Sequence, residues 1–313
     1  MKKNEVLGLI ILFICAIIWG SAFIAQSMAA GKIGAWMYNA CRFLVGGVIL
    51  IPLIIILDLK KKKKVEEEHT EKKPKWYLLV AGSIIGLLLA IASFLQQKGI
   101  ETIPAGKAGF ITGFYLVLVP IFSFIFFRQK LKIHIYIAAV LGLLGLYLLS
   151  VSDGFSSITV GDIFVIGCAF VFTFQILGVD YFVKKVDPIK LSCVQMLFCG
   201  SFSLLLALIT EKNTWNDIIN CLGPILYAGI MSCGVAYTLQ VVGQKMVNAT
   251  IASLILSLES TFSVIFGVII LHEYLSTKEI WGCVVMFLAI CISQIDIKHL
   301  FTTFINKKDK KIE

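Results

Sequence analysis

The sequence predicts an all-α integral membrane protein with ten transmembrane helices arranged as two inverted five-helix repeats. Three observations carry that expectation: the composition, the length of the apolar runs, and a weak internal repeat whose two copies sit in opposite charge surroundings. Of 313 residues, 58% are hydrophobic and 15% charged, and the mean hydropathy is +0.92. A soluble domain is about 45–50% apolar and about 25% charged. Too little polar surface is left to cover a water-soluble globule. A soluble enzyme, a disordered chain and a nucleic-acid-binding domain are excluded on that ground.

A spanning helix needs about 20 mostly apolar residues, and the runs that meet this fall at 6–26, 33–57, 76–97, 104–127, 133–151, 160–180, 189–209, 219–240, 249–271 and 278–297. The first follows Lys2 and Lys3 like a signal peptide, but it is long for one and contains Trp19 and Gln26, so it reads as a retained helix. The second contains Arg42 and runs into the lysines at 60–64. The third carries Gly82, Gly86 and Ala90 four apart, a spacing that lets helix backbones approach closely. The fourth offers Thr112 and Tyr115, the sixth Gln175 and the seventh Gln195. The eighth repeats the small-residue spacing at Ala228, Ser232 and Ala236 and then carries Tyr237 and Gln240. The ninth holds Glu259. The segments are about twice the length of a barrel strand and do not alternate, which argues against a β-barrel. The domains expected are a first five-helix repeat at 8–151, a second at 160–297, and a basic tail at 298–313.

Lysine and arginine counts set the orientation. With the N-terminus in the cytoplasm, 22 of the 28 basic residues fall on cytoplasmic segments, 5 on outside loops, and Arg42 alone inside a span. Both termini are therefore expected in the cytoplasm, with the chain in the cell membrane. The net charge of +9 then faces anionic lipid headgroups rather than nucleic acid. The nine cysteines lie in or at the edge of apolar runs without a CxxC pair, and the four histidines are scattered, so no metal and no cofactor is expected.

The halves resemble each other. "QKGIETIPAGKAGFITGFYLVLVPIFSFIFFRQKL" at 97–131 aligns with "QKMVNATIASLILSLESTFSVIFGVIILHEYL" at 244–275, matching Ala105 with Ala249, Ala108 with Ala252, Phe122 with Phe266 and Leu131 with Leu275. Five helices per half is an odd number, so the second half must run opposite to the first. The basic "FRQKLK" at 127–132 has a counterpart, "LHEYLS" at 271–276, that has lost those charges. An inverted repeat about a midplane site is the architecture of alternating-access transporters.

"AIIWGSAFIAQ" (16–26), "NACRFLVGGVILIPL" (39–53), "GFITGFYLVLVPIFSFIF" (109–126) and "LSLESTFSVIFGVIILHEYLS" (256–276) resemble the drug/metabolite transporter superfamily, specifically its EamA-type ten-helix members. The resemblance covers about 8–298. It implies export or uptake of small organic solutes, often amino acids or related metabolites. Two departures stand out: relatives often have Leu-Glu-Pro where this chain has Leu258, Glu259 and Ser260, and Gly-Glu where it has Arg128 and Gln129. The missing proline puts a kink at that place in question.

An intramembrane charge costs at least about 2.5–3.5 kcal/mol, which marks Arg42 and Glu259 as functional candidates. Tyr38, Asn39, Arg42 and Gly46 share one helix face, and Trp19, Phe23 and Gln26 share another. The residues expected to line a substrate site are Trp19, Asn39, Arg42, Tyr115, Gln175, Tyr237 and Glu259. A guanidinium suits a carboxylate and a carboxylate suits an ammonium group, as in a zwitterionic amino acid. An internal Arg42–Glu259 pair is the competing structural reading. Asp162, Asp180 and Asp187 lie at helix ends and read as solvated.

The function expected is a secondary transporter exporting small organic metabolites such as amino acids across the cytoplasmic membrane, and not an enzyme. Its partners are a small-molecule substrate and membrane lipid, with Glu259 a candidate for proton coupling. No P-loop is present for direct ATP coupling. An uncoupled channel or facilitator is the first alternative. An integral-membrane lipid-modifying enzyme is the second, weakened by the lack of clustered histidines or a G-x-S-x-G. Both a monomer and a dimer fit the sequence.

Overall fold

The computed structural model describes residues 3–62, 74–128, 133–150, 158–272, 274 and 276–294. Most of the basic loop expected at 58–75, Gln129, Asp153 and the whole tail at 298–313 lie outside the described residues. The helices are α1 (Lys3–Ala29), α2 (Ala35–Lys62), α3 (Lys75–Ile100), α4 (Ala105–Thr112), α5 (Tyr115–Phe127), α6 (Ile133–Ser150), α7 (Val160–Val183), α8 (Pro188–Thr210), α9 (Trp215–Asn220), α10 (Leu222–Tyr227), a π-helical segment (Ala228–Ala236), α11 (Tyr237–Met246), α12 (Ala249–Leu256), α13 (Leu258–Leu271) and α14 (Thr277–Gln294). No strand occurs among the described residues.

Among the described residues, eight segments are long and apolar enough to cross a membrane: α1, α2, α3, α7 and α8 singly, α4 with α5, α10 with the π segment and α11, and α12 with α13. The sequence predicts ten crossings. The two others, α6 and α14, hold shorter apolar stretches, at Tyr136–Gly145 and Ile280–Ala289. The chain is thus an all-helical, multi-pass membrane protein, with eight spans meeting the length that a bilayer core demands. Large apolar side chains exposed along α2, α5 and α8, such as Ile55, Phe126 and Leu208, are the lipid-facing surface such a protein presents.

Close helix crossings are placed by small residues, as the four-apart spacing predicts. A Cβ on Gly82 would meet Val194 at 2.4 Å, and one on Gly86 the Gln195 carbonyl at 2.8 Å, so α3 lies backbone-close to α8. In the second half Gly229 and Cys233, each one residue beyond the spaced Ala228 and Ser232, meet α2 at Val45 and Gly46. Helix direction is legible in these contacts. Gly8 meets Met246, Cys15 donates to the Ala236 carbonyl, and Ser21 bonds Tyr227, so α1 runs antiparallel to the α10–α11 span. Gly47 against Leu197 and Gly200 against Leu44 make α2 and α8 antiparallel too. That pair is tied at both ends. Glu211, just past α8, accepts from the Trp36 and Met37 amides at 2.8 and 3.0 Å, which satisfies orphan donors at the start of α2. At the far end Lys190 lies 2.7 Å from Asp58.

Two spans are interrupted. The fourth breaks at Gly113 and Phe114, where Phe114 N–H bonds the Ile111 carbonyl and Leu116 N–H the Gly113 carbonyl, a tightened i to i+3 pattern. The ninth breaks at Ser257, with Ser260 N–H bonding the Ser257 carbonyl. The hydroxyls of Ser253, Ser257 and Ser263 each bond a carbonyl three residues back, a competition that bends helices without proline. The break is therefore present although Ser260 replaces the proline of relatives. The two spans also end alike: Arg128 and His272 adopt left-handed backbone, φ 51° and 55°. The two spans start, reach their breaks and end at positions offset by 144 residues, the offset of the internal repeat; the first break is one residue longer than the second.

The helix-end aspartates depart from expectation. Asp162 is buried, 2.9 Å from Lys107 of α4, and bonds Thr159 in a capping box. Asp180 is buried against Lys184. Buried carboxylates need a partner where solvated ones do not, and both have found a lysine. Asp187 caps α8 through the Ile189 and Lys190 amides.

Candidate functional site

A cavity, with about 390 Å³ of empty space counted through its opening to solvent, lies among α1, α2, α3, α5, α7, the π segment, α11 and α13. Helix α1 presents Trp19, Ala22, Phe23 and Gln26 to it, at the i, i+3, i+4 and i+7 positions of one face. Arg42 enters from α2 and Gln96 from α3, while Phe172 and Ile176, one turn apart, line it from α7. Ser232 and Tyr237 both reach the cavity. At 3.6 residues per turn a five-residue step would set them about 140° apart. The π segment, closed by the Tyr237 N–H on the Ser232 carbonyl, brings them to one side.

Tyr115 and Glu259 sit at the breaks. Tyr115 is the first residue of α5 and Glu259 the second of α13, each just past its interruption, and they are repeat-equivalent positions 144 residues apart. The Tyr115 hydroxyl donates to Glu259 Oε1 at 2.9 Å. Discontinuous helices bordering a midplane site are how membrane carriers expose polar backbone and charge to a solute without exposing them to lipid.

Arg42 is held differently. Its Nε donates to Asn39 Oδ1 at 3.1 Å, and its guanidinium lies 5.1 Å from the Tyr38 ring centre and 4.8 Å from that of Phe43. Such cation–π contacts favour the charge by roughly 0.5–2 kcal/mol each. Nη2 is buried with no hydrogen-bond partner among the described residues. No ion pair joins Arg42 to Glu259 among the described residues, so the competing expectation of a structural pair between them is not met. A buried charge without a counter-charge costs about 3–5 kcal/mol, and a guanidinium cannot shed its proton to avoid that cost.

Of the seven residues expected at the site, the structure brings Trp19, Arg42, Tyr115, Tyr237 and Glu259 to the cavity. Trp19 and Tyr237 pack with ring centres 4.6 Å apart. The other two are buried behind it. The Asn39 carbonyl oxygen is taken up by Arg42. Gln175 exchanges two hydrogen bonds with the cavity-lining Gln240, at 3.2 and 3.4 Å. Ser232, marked in the sequence only by its small-residue spacing, also lines the cavity, and Gln96, Phe172 and Ile176 line it without having been singled out. Gln96 donates to Thr112 at 3.2 Å; its only signal is an amide at the end of an apolar run. No sequence signal marks Phe172 or Ile176.

Comparison with known proteins agrees with this architecture. The EamA-like transporter family matches residues 6–151 and again 159–294. An uncharacterized transporter of Archaeoglobus fulgidus is 28% identical over 289 residues, covering 90% of this chain and 83% of that protein. The uncharacterized transporter YvbV of Bacillus subtilis is 24% identical over 292 residues, covering 90% of each. A crystal structure superposes with a TM-score of 0.70 over 94% of this chain and 98% of that one at 19% identity, a likeness of fold. These names point to a transporter rather than an enzyme. With the family match spanning both halves, the chain belongs to the EamA-like transporter family, as its resemblance to the drug/metabolite transporter superfamily implies.

Proposed function

We propose that this protein is a secondary transporter that exports small organic metabolites, of the size of amino acids, across the cytoplasmic membrane by alternating access. The observation that carries this reading is the Tyr115–Glu259 hydrogen bond: two repeat-equivalent residues meet at the cavity, each beside the break in its own span. A site shared by two related halves becomes accessible from either side when the halves exchange conformations. The separate family matches to residues 6–151 and 159–294, the common 144-residue offset and the antiparallel pairing of α2 with α8 support two inverted five-helix repeats. On this reading α6 and α14 are the fifth and tenth crossings, and both termini are cytoplasmic. The domain limits are 8–151 and 160–297, followed by the basic tail.

Within the site, Glu259 carries the coupling proton and Arg42 with Trp19 and Tyr237 meets the solute. Asn39 and Gln175 act through Arg42 and Gln240. Glu259 has one donor and no cation within ion-pairing distance among the described residues, so gaining and losing a proton is its available response to the cavity's contents. Counterflow in proteoliposomes tests the reading: internal unlabelled solute should accelerate uptake of the same labelled solute. Flux without trans-stimulation would mean a channel. Glu259→Gln should keep exchange and lose dependence on a proton gradient; gradient dependence that survives the change would remove the proton from this carboxyl.

A further inference from the structure

Three cavity-lining residues hold a buried polar atom with no hydrogen-bond partner among the described residues: Nη2 of Arg42, Nε1 of Trp19 and Oε1 of Gln26. All three side chains are more than nine-tenths buried. Two of these atoms are donors and one is an acceptor. Glu259, by contrast, already receives the Tyr115 hydroxyl. The unmet demand of the cavity is therefore concentrated on α1 and α2 rather than on the carboxylate.

We infer that the cavity selects a carboxylate with a hydrogen-bond donor at its far end: the oxyanion on Arg42 Nη2 and Trp19 Nε1, the donor on Gln26 Oε1. The inference rests on the transport reading only for taking this cavity as the solute site. A guanidinium that stays charged needs an anionic partner, and the ligand carboxylate supplies it. Trp19 adds a second, neutral donor, so the two oxygens of one carboxylate are shared between two fixed groups. Arg42 is fixed by Asn39 and by the Tyr38 and Phe43 rings, and Trp19 by Tyr237, so neither must be ordered on binding. Gln26 lies seven residues beyond Trp19 on the same face, about 10 Å along the axis. Phe23 lies between them and lines the cavity, which suits a flat apolar body joining the two ends. An amine paired with Glu259 would leave Arg42 and Trp19 as they are, and is not the ligand this geometry selects.

Three probes of one shape separate these demands: 4-hydroxyphenylacetate has both ends, 4-methylphenylacetate lacks the donor, and tyramine replaces the carboxylate by an ammonium. Binding is read on the purified full chain in detergent by calorimetry and thermal shift. The expected order is 4-hydroxyphenylacetate first, 4-methylphenylacetate about tenfold weaker, and tyramine without a shift at the same concentration. Trp19→Phe, which keeps a ring and removes the donor, should weaken both carboxylates about tenfold. Gln26→Leu should abolish the difference between them. Equal or tighter binding of tyramine, equal binding of the two carboxylates to the unmodified protein, or no binding by any probe at millimolar concentration would each overturn the inference. The probe ranking needs no variant, so misfolding of a substituted chain cannot rescue or sink it. Counterflow of 4-hydroxyphenylacetate is read separately. Binding in the expected order without counterflow upholds this inference and contradicts the carrier reading, whereas counterflow of tyramine alone does the reverse.

Discussion

Tyr115 and Glu259 show what a single residue contributes where burial leaves a charged group few partners. Glu259 is 4% exposed, and its carboxylate accepts one hydroxyl. Tyr115→Phe removes that donor while keeping the ring. Leaving a buried acceptor unmet costs about 1–3 kcal/mol, and more where it is charged, so thermal unfolding in detergent should fall by several degrees. An unchanged midpoint would show that Glu259 does not depend on Tyr115. The charges themselves were legible in the sequence, because Arg42 and Glu259 interrupt runs where a charge is expensive. Which polar side chains satisfy one another was not. Asn39 shares a helix face with Arg42 and reads as part of the same site, yet its carbonyl oxygen is consumed by the Arg42 Nε. Gln175 reads as a lone amide until folding places Gln240 against it. Periodicity along one helix carries no information about the helix opposite.

Helix limits were read closely from apolar length alone: the expected 104–127 and 249–271 coincide with Ala105–Phe127 and Ala249–Leu271. The interruptions inside those spans escaped, because serine hydroxyls and a glycine make them where only a proline would have announced a break. The π segment escaped as well, since its residues are as apolar as their neighbours. Close packing at this scale makes a clear test. A Cβ on Gly20 would lie 2.3 Å from Phe262 Cβ and 2.9 Å from backbone of α13, so Gly20→Ala must push α1 and α13 apart. Overpacking of this kind costs about 1–3 kcal/mol, and the folded yield and unfolding temperature should drop. Gly223→Ala, where nothing lies within 4 Å, is the control and should not. Equal behaviour of the two would mean that α1 and α13 do not cross at Gly20.

Helix α9, between two spans, allows a pH test. The Thr214 amide donates to Asp217 at 2.7 Å, and this bond, with the Thr214 hydroxyl, holds the Asp217 carboxyl below its ordinary value. A lowered folded value means that its share of α9 stability is complete above the ordinary carboxylate range. That share is lost as pH falls through the lowered value. Protection factors over Trp215–Asn220, which correct for the pH dependence of intrinsic amide exchange, should therefore fall in acid. Asp217→Asn should make those protection factors independent of pH in that window, and a profile unchanged by the substitution would exclude the cap as its cause.

For the whole molecule, the arrangement that matters is which end of the cavity faces which side. The lysine asymmetry predicts residue 67 in the cytoplasm and residue 156 outside. Cysteines introduced at Glu67 and Ser156, in a background without accessible native thiols, should report this on intact cells. An impermeant thiol reagent should modify the second and spare the first. The opposite pattern would reverse the topology and with it the direction proposed for transport. The all-helical, multi-pass fold was legible because a bilayer demands a long apolar run of each span, and eight of the ten expected spans meet that length among the described residues. The cavity was only half legible, because it is assembled from eight elements contributed by both halves of the chain.

The most direct test of the central claim, that Arg42 and Glu259 face a shared cavity to serve transport rather than to brace the helices, is solute counterflow by the double variant Arg42→Met with Glu259→Met. The structure leaves the two charges unpaired with each other, so removing both should relieve a burial cost and leave a folded, correctly inserted protein. Its unfolding midpoint should equal or exceed that of the unmodified chain, and its counterflow should fall to background. A double variant that folds and exchanges solute at the unmodified rate would contradict the account and move the site away from both charges.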